Sequence, residues 1–208
     1  MGRVLDARTY VGGFSAPSKM PGHAYSTPAE DCITGSKLRC IPDSVCSECY
    51  ACKGNYIRFP AVMTAMKRRL GTLNKKYWVE NMVIAINGAE FFRWHDSGDL
   101  QSENHLNRIV QVARRTLDTT SHWLPTRENG FVRSWLKKNP GGFPANLVVR
   151  VSANMIDGRP GNYPNTSTVH RDSKPVGHVC PSSLQNNECR DCRACWTPSV
   201  ANVSYPKH

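Results

Sequence analysis

The sequence predicts an α/β protein built on a parallel sheet, either a partial (β/α) barrel or a small open sheet. Three short apolar segments, residues 89–99, 121–127 and 145–154, have the pattern of strands, and helical apolar spacing lies between them. Strands and helices that alternate at short intervals are typical of consecutive βα units, whose strands run parallel. About three to five strands are too few to close an eight-stranded barrel, so the sheet is expected to stay open.

The predicted helices have recognisable starts and stops. Pro60 suits the first turn of a helix over 60–70. Asn74 is a candidate cap for the next helix, and Ser102 is a candidate cap for the one after it. The last helix, over 131–139, is expected to stop at the Pro-Gly-Gly sequence that follows. In the second strand Pro125 is expected to stand at the strand's end or on an edge of the sheet.

The chain is expected to form a single domain over residues 1–208. Residues 1–59 carry a first cysteine group, 60–156 form the α/β scaffold, and 157–208 are expected to be irregular and carry a second group. The Pro- and Asn-rich start of this last segment predicts a loop. Its end, residues 200–208, is expected to return as an edge strand. The cysteine-rich N- and C-terminal segments are expected to form metal sites.

Charge and hydropathy limit the partners. The 27 Lys and Arg residues against 16 Asp and Glu residues give a formal net charge of +11, which suits an anionic partner such as nucleic acid. The alternative explanation of the positive charge is that it provides solubility and compensates buried anionic groups. The chain has no apolar run of about 18 residues and no apolar segment after its first charges. We therefore expect a cytoplasmic protein with no membrane partner.

The nine cysteines indicate metal binding. A cytoplasmic protein keeps its thiols reduced, so a disulfide framework is not expected. The second group has a Cys-Pro followed by C-x2-C-x2-C, a run that resembles the ligands of bacterial ferredoxins with the Cys-Pro placed before it. Four thiolates also suit tetrahedral zinc, and unligated thiols are a further alternative. The second group consists of Cys180, Cys189, Cys192 and Cys195.

The first group has one cysteine more than a site needs. It consists of Cys32, Cys40, Cys46, Cys49 and Cys52. Radical S-adenosylmethionine enzymes use C-x3-C-x2-C and leave one iron open for the cofactor, whereas the spacing here differs by one residue. A structural zinc or a cluster held by four cysteines is the alternative. Cys40 could equally be a small buried apolar residue.

Several motifs together resemble one phage family. They are CITGSKLRC (32–40), CSECYACKGNY (46–56), RWHDSGD (93–99), RVSAN (150–154) and NECRDCRACW (187–196), with the VSYPKH ending. The family is gene product 88 of tailed bacteriophages. The resemblance implies an iron–sulfur protein made in the host bacterium's cytoplasm, with a fold related to radical S-adenosylmethionine enzymes. Its pattern covers Cys32, Cys46, Cys49 and the whole second group, leaves out Cys40 and Cys52, and implies no reaction.

Polar residues follow each predicted strand, at the ends where parallel α/β proteins bind ligands. The candidate catalytic residues are His95, Asp96, Asp99 and Arg127, and the candidate cofactor-binding residues are Arg150, Ser152 and Asn154. The imidazole beside a carboxylate suits proton transfer, and a guanidinium suits a carboxylate or phosphate. The alternatives are a helix cap for Asp99 and neutralisation of thiolates for the two arginines.

The sequence therefore predicts a phage iron–sulfur protein with two [4Fe-4S] clusters and a redox or radical S-adenosylmethionine-like role. S-adenosylmethionine is a candidate cofactor and zinc is the alternative metal. The fourth ligand of the first site is left open between Cys52, Cys40, His95 and an exogenous group. The alternative function is a non-catalytic, metal-stapled protein that binds nucleic acid or a host protein through its basic surface.

Overall fold

The computed structural model describes residues 2–207, which form an α/β structure with one seven-stranded sheet. The strands are β1 (His23–Tyr25), β2 (Phe91–Trp94), β3 (Ser121–Thr126), β4 (Leu147–Ile156), β5 (Thr166–His170), β6 (His178–Val179) and β7 (Asn202–Pro206). Every pair in the sheet is parallel, and the order is β1-β2-β3-β4-β5-β7-β6. The predicted α/β class with a parallel sheet is confirmed, whereas the predicted count of three to five strands is wrong.

Seven α-helices connect and flank the strands in the described part of the chain. They are α1 (Gly2–Tyr10), α2 (Ile33–Leu38), α3 (Asn55–Arg58), α4 (Pro60–Leu70), α5 (Trp78–Ile86), α6 (Glu103–Arg115) and α7 (Asn129–Lys138). Helix α4 begins at Pro60, and the Ser102 hydroxyl accepts the His105 N–H at 3.0 Å at the start of α6, as predicted. Asn74 does not cap α5, because backbone turns through Lys75 delay the helix until Trp78. No helix within residues 2–207 has the length and apolar character needed to cross a membrane.

The strands follow chain order from β1 to β5, so each crossover moves to the neighbouring position in the sheet. Right-handed crossovers of this kind place their helices on one face. A partial barrel and an open singly wound sheet share this order, and the partial barrel stays a prediction. The sheet has β1 at one end and β6 at the other.

The two faces of the sheet have different surroundings. On the helix side lies the main core, in which the strand residues Phe92, Trp94 and Leu124 pack against Trp78 and Leu106. Burying each such large apolar side chain contributes about 1.5–3 kcal/mol. Because strand residues alternate between faces, their neighbours point to the other side. That second face carries a smaller cluster of Trp123, Ala194, Cys195, Trp196 and Val203.

Pro125 lies in an interior strand, near its end. The Ser121 N–H donates to Glu90 at 2.8 Å and the His122 N–H donates to Asn146 at 2.7 Å, so alternate residues of β3 face β2 and β4. By this alternation Pro125 faces β2, which has already ended at Trp94. The proline therefore removes no ladder hydrogen bond, and the strand does not need to be on an edge.

Two predictions for the C-terminal segment are wrong. Residues 157–179 are not a plain loop, because they contain β5 and β6. Strand β7 is not an edge strand, because β6 pairs with its outer side and the Cys180 N–H donates to Ser204 at 2.9 Å. Strand β5 carries three hydroxyl side chains and β6 has only two residues, both exposed, so neither has an apolar pattern in the sequence.

Candidate functional site

A cavity of about 1030 Å³ opens at the carboxyl ends of the strands. Loops after β2 and β3 and residues of β4, β5 and β7 form one side, and the first cysteine segment forms the other. The predicted site residues that line it are His95, Asp96, Asp99, Arg127, Ser152, Cys32, Cys46 and Cys49. Those outside its lining are Arg150, Asn154, Cys52, Cys180, Cys189, Cys192 and Cys195. The cavity therefore lies where parallel α/β proteins bind their ligands.

Cys32 and Cys46 face each other across Gly35. Both sulfur atoms lie 3.6 Å from the position that a Cβ atom would occupy at Gly35, and that atom would also lie 2.9 Å from the Cys32 Cβ. The absence of a side chain at this glycine therefore leaves space between the two thiols. Burial, with the charge of Asp99 as the next cause, raises the pKa of Cys32, and burial raises the pKa of Cys46.

Cys49 and Cys52 follow Cys46 in tight turns. The Cys49 N–H donates to the Cys46 carbonyl at 3.3 Å, and the Cys52 N–H donates to the Cys49 carbonyl at 3.1 Å. Burial and the neighbouring Cys49 thiol raise the pKa of Cys52. Cys40 is exposed. Of these five thiols, Cys32, Cys46 and Cys49 line the cavity.

The first segment is held to the sheet by several contacts, among them the Ile156 N–H to the Asp43 carbonyl at 2.8 Å and the Lys207–Glu48 ion pair at 2.9 Å. The carboxylate of Glu128, at the end of β3, accepts the Thr34 N–H at 2.7 Å and the Thr34 hydroxyl at 2.8 Å. The Val45 N–H donates at 2.9 Å to the carbonyl of Asn154 in β4. Asn154 thus contributes a backbone contact to the cysteine segment, and cofactor binding by its side chain stays a prediction.

Among the described residues, no three Cys, His, Asp or Glu side chains stand in position to hold a single metal ion. A structural zinc needs four ligands about 2.0–2.3 Å from one centre. A four-iron cluster binds each thiolate to a different iron atom, so its ligand sulfurs stand further apart. Thiolates are the ligands that iron–sulfur clusters and zinc prefer, and no side chain at Gly35 comes between Cys32 and Cys46.

The second cysteine group packs on the face of the sheet opposite the main core. Cys180, Cys192 and Cys195 belong to the cluster that contains Trp123 and Trp196. The Cys195 thiol lies 3.1 Å from the Tyr205 hydroxyl, and burial raises the pKa of this thiol to about 12. None of the four thiols of this group lines the cavity, although Trp123 and Tyr205 of the same cluster do.

Arg150 anchors the second segment. Its guanidinium is fully buried and donates to the carbonyls of Ala194 at 2.7 Å, Val200 at 2.8 Å, Cys195 at 3.1 Å, Thr197 at 3.1 Å and Thr166 at 3.3 Å. All three guanidinium nitrogens are engaged, which makes this side chain a structural contact in the present geometry. Its predicted role in cofactor binding stays a prediction.

His95 has an unusual backbone and free ring nitrogens. Its φ is 57°, in the left-handed region that residues other than glycine seldom adopt. Its ring is buried 5.2 Å from the ring of His105, and neither ring nitrogen has a hydrogen-bond partner among the described residues. Burial lowers the pKa of His95 well below its usual value and that of His105 to about 3. A neutral imidazole at the cavity wall can accept or donate a hydrogen bond or bind a metal.

The two aspartates differ in how they are held. Asp96 accepts the Ser15 and Tyr56 hydroxyls, each at 3.2 Å, and its backbone carbonyl accepts the Tyr50 hydroxyl. These contacts come from side chains that line the cavity. Its predicted catalytic role stays a prediction.

Asp99 is fully occupied by the ends of the strands. It accepts the Thr126 hydroxyl at 2.5 Å, the Leu100 N–H at 2.7 Å and the Arg127 N–H at 2.8 Å. Burial raises the pKa of Asp99 to about 6, against the effect of these hydrogen bonds. This carboxylate therefore ties the loop after β2 to the end of β3, and any catalytic role comes in addition to that contact.

Arg93 is a site residue that the sequence reasoning missed. Its guanidinium carbon lies 4.4 Å from the centre of the Trp123 ring, and one Nη lies 3.5 Å from the Tyr50 hydroxyl. Its charge also acts on Cys189 and Cys195, lowering the pKa of both thiols against the effect of burial. A single charged residue inside the apolar FFRW strand was the signal that could have found it.

Comparison with known proteins identifies the family. A family model described as gene product 88 matches residues 3–198. The chain belongs to the gene product 88 family. Neither the curated proteins nor the solved structures gave a match. The predicted resemblance to this phage family is thus confirmed, and the iron–sulfur clusters and the kinship with radical S-adenosylmethionine enzymes stay predictions for this gene product 88 protein.

Proposed function

We propose that this gene product 88 protein is an iron–sulfur protein whose first cluster faces the cavity and whose second cluster packs against Trp123 and Trp196. One observation carries the proposal: Cys32, Cys46 and Cys49 line the same cavity as His95 and Asp96. Three thiolates are one fewer than a four-iron cluster has iron atoms. The fourth iron is then free for a substrate, for a cofactor such as S-adenosylmethionine, or for His95.

The donor set supports iron and sulfide as the bound group. Two of the cavity-lining thiols, Cys46 and Cys49, belong to a tight turn with two residues between them, which brings their sulfurs to one side. Gly35 leaves the space between Cys32 and Cys46 free. The C-x2-C-x2-C run of the second group is the spacing of iron–sulfur ligands in ferredoxins.

The two clusters would differ in their use. When bound, such clusters supply one-electron chemistry, and an open iron adds a binding position for a ligand. The second group has four cysteines and packs with Trp123 and Trp196, which favours electron transfer or a structural role. At the first group His95 presents a neutral imidazole, and Asp96 is held by Ser15 and Tyr56. These two residues are the ones in position to orient a ligand or exchange a proton with it.

The test is anaerobic purification followed by iron, sulfide and zinc analysis and electron paramagnetic resonance of the reduced protein. We expect about eight iron and about eight sulfide per chain, the content of two four-iron clusters. C46S and C195S should each lower both values by about half, and the matched control C40S should leave them unchanged because Cys40 is exposed. Stoichiometric zinc without sulfide would overturn the proposal.

A further inference from the structure

The cavity wall carries more positive than negative side chains. The cationic residues that line it are Lys19, Arg39, Arg69, Arg93, Arg127 and Lys207, and the carboxylates are Glu48, Asp96 and Asp99. This excess of positive charge can attract a ligand only through cations that are not already paired or hydrogen-bonded within the protein. The contacts of each group decide which these are.

Three of the cations are engaged within the protein. Arg69 donates to the carbonyls of Gly13 and Ser26 and to the Ser26 hydroxyl. Lys207 pairs with Glu48 at 2.9 Å. Arg93 lies on the ring of Trp123.

The two other carboxylates are engaged as well, and neither is paired with an arginine side chain. Asp96 accepts from Ser15 and Tyr56, and Asp99 accepts from Thr126 and from backbone N–H groups. The wall therefore has no carboxylate left to balance a further guanidinium.

Lys19 is exposed, so Arg39 and Arg127 are the half-buried cations that remain. Neither forms an ion pair within residues 2–207. The Nε atoms of both are buried and have no hydrogen-bond partner. Arg39 gives one Nη to the Ala29 carbonyl at 2.9 Å, and the Arg127 side chain makes no hydrogen bond among the described residues. An unpartnered buried donor of this kind is unfavourable, so a ligand that accepts a hydrogen bond from it gains affinity.

Both guanidinium groups line the same cavity as Cys46. Guanidinium groups bind carboxylates and phosphates through two parallel hydrogen bonds. Tyr50 and Tyr56 line this cavity too, with ring centres 5.8 Å apart, and offer aromatic surface for the rest of a ligand. The volume of about 1030 Å³ admits an organic molecule of nucleotide size.

We propose that the cavity binds an aromatic ligand bearing an oxyanion, a phosphate or a carboxylate, which accepts hydrogen bonds from Arg39 and Arg127. This inference deepens the proposed function and rests on it for the position of the reactive site. A competing role for these arginines is to offset the negative charge of thiolates. Ligand titration of arginine variants separates ligand binding from this charge compensation.

The test uses isothermal titration calorimetry on the anaerobically purified full chain with two matched pairs of probes. Phenyl phosphate is compared with phenol, and benzoate is compared with benzyl alcohol. We expect one of the two anions to bind at least about tenfold more tightly than its neutral counterpart, the effect of one charge-assisted bidentate contact. The pair that shows the difference tells whether phosphate or carboxylate is the recognised group.

Variants assign the binding to the arginines. R127Q and R39Q should each lower the affinity for the preferred anion by about tenfold and leave the affinity for the neutral probe unchanged. The matched control is R133Q, because Arg133 is exposed on α7 and does not line the cavity. Two variants are used so that the misfolding of one leaves the other as the test.

Iron and sulfide are measured on every variant. The inference is overturned if neither anion is preferred, or if R127Q and R39Q lose iron and sulfide while the affinity of the loaded protein for the anion is unchanged. If anion binding depends on both arginines in a protein without iron, this inference stands and the proposed function fails.

Discussion

The two cysteine groups lie on one sheet but are held in different ways. The second group packs around Trp196, and its backbone is held by the five acceptor contacts of Arg150. The first group is held by side-chain and backbone tethers such as Glu128 to Thr34, and three of its thiols line a cavity. Every guanidinium nitrogen of Arg150 is hydrogen-bonded, whereas the His95 ring and the Arg127 Nε have no partner among the described residues, which makes them candidates for contacting a ligand.

The largest expected effect tests the anchor of the second group. R150M leaves buried carbonyls without donors, so we expect the free energy of unfolding to fall by about 3–5 kcal/mol. Urea unfolding followed by circular dichroism measures it. The exposed control R133M should change stability by no more than about 0.5 kcal/mol. A loss below about 1 kcal/mol for R150M would show that the second segment is held by its apolar packing instead.

The next effect tests the tether of the first group. E128Q keeps one acceptor oxygen but turns an amide donor toward Thr34, so we expect a loss of about 2 kcal/mol and faster proteolysis within residues 33–54. Urea unfolding measures the loss of stability, and limited proteolysis measures the rate of cleavage within residues 33–54. E80Q is the control, because Glu80 forms an exposed ion pair with Arg115. Unchanged proteolysis in E128Q would mean that another contact holds the first group.

The pH dependence of stability tests the buried histidine pair behind the first group. The pKa of His105 is about 3 in the folded protein against an ordinary value of 6.5, so between these values the unfolded chain binds one more proton at this site. Stability is therefore full above pH 6.5 and falls as the pH drops towards 3, by up to about 1.4 kcal/mol per pH unit from this residue.

The measurement is urea unfolding of the wild type and H105Q at a series of pH values between 4 and 8. Because glutamine does not titrate, we expect the H105Q curve to be flatter by this amount. Parallel curves for the two proteins would contradict the prediction.

The smallest expected effect concerns Cys52. This thiol does not line the cavity, so C52S should leave the iron and sulfide content of the anaerobic protein unchanged, whereas C49S should lower it by about half. A loss by C52S equal to that of C49S would make Cys52 the fourth ligand. The first group would then be closed, and the contrast with the second group would disappear.

Local signals allowed the sequence to predict part of the fold. Pro60 and Ser102 mark the starts of α4 and α6 because their effects act within one helical turn. Strands β2, β3 and β4 are buried and apolar enough to stand out. The short strands could not be predicted, because β1, β5 and β6 owe their position to pairing with distant segments and carry no apolar pattern of their own.

The part of the site that lies at the carboxyl ends of the strands was predictable from the sequence. The loops after β2 and β3 bring His95, Asp96, Asp99 and Arg127 to one cavity, as the rule for parallel strands predicts. Strand β4 runs to Ile156, two residues further than predicted, which leaves Arg150 in mid-strand. Cytoplasmic location and the alternative of nucleic-acid or host-protein binding depend on partners outside the chain and stay predictions.

The position of β1 has a consequence for the order of folding. This three-residue strand pairs with β2 through His23 and Phe92, and the first cysteine segment lies in the long stretch between them. Closing so long a loop for three residues of pairing is entropically unfavourable, so we expect β2 to β5 to assemble first and β1 to join late. The cavity would then exist only after that last step, and its three thiols would remain apart in the nascent chain until the sheet is nearly complete.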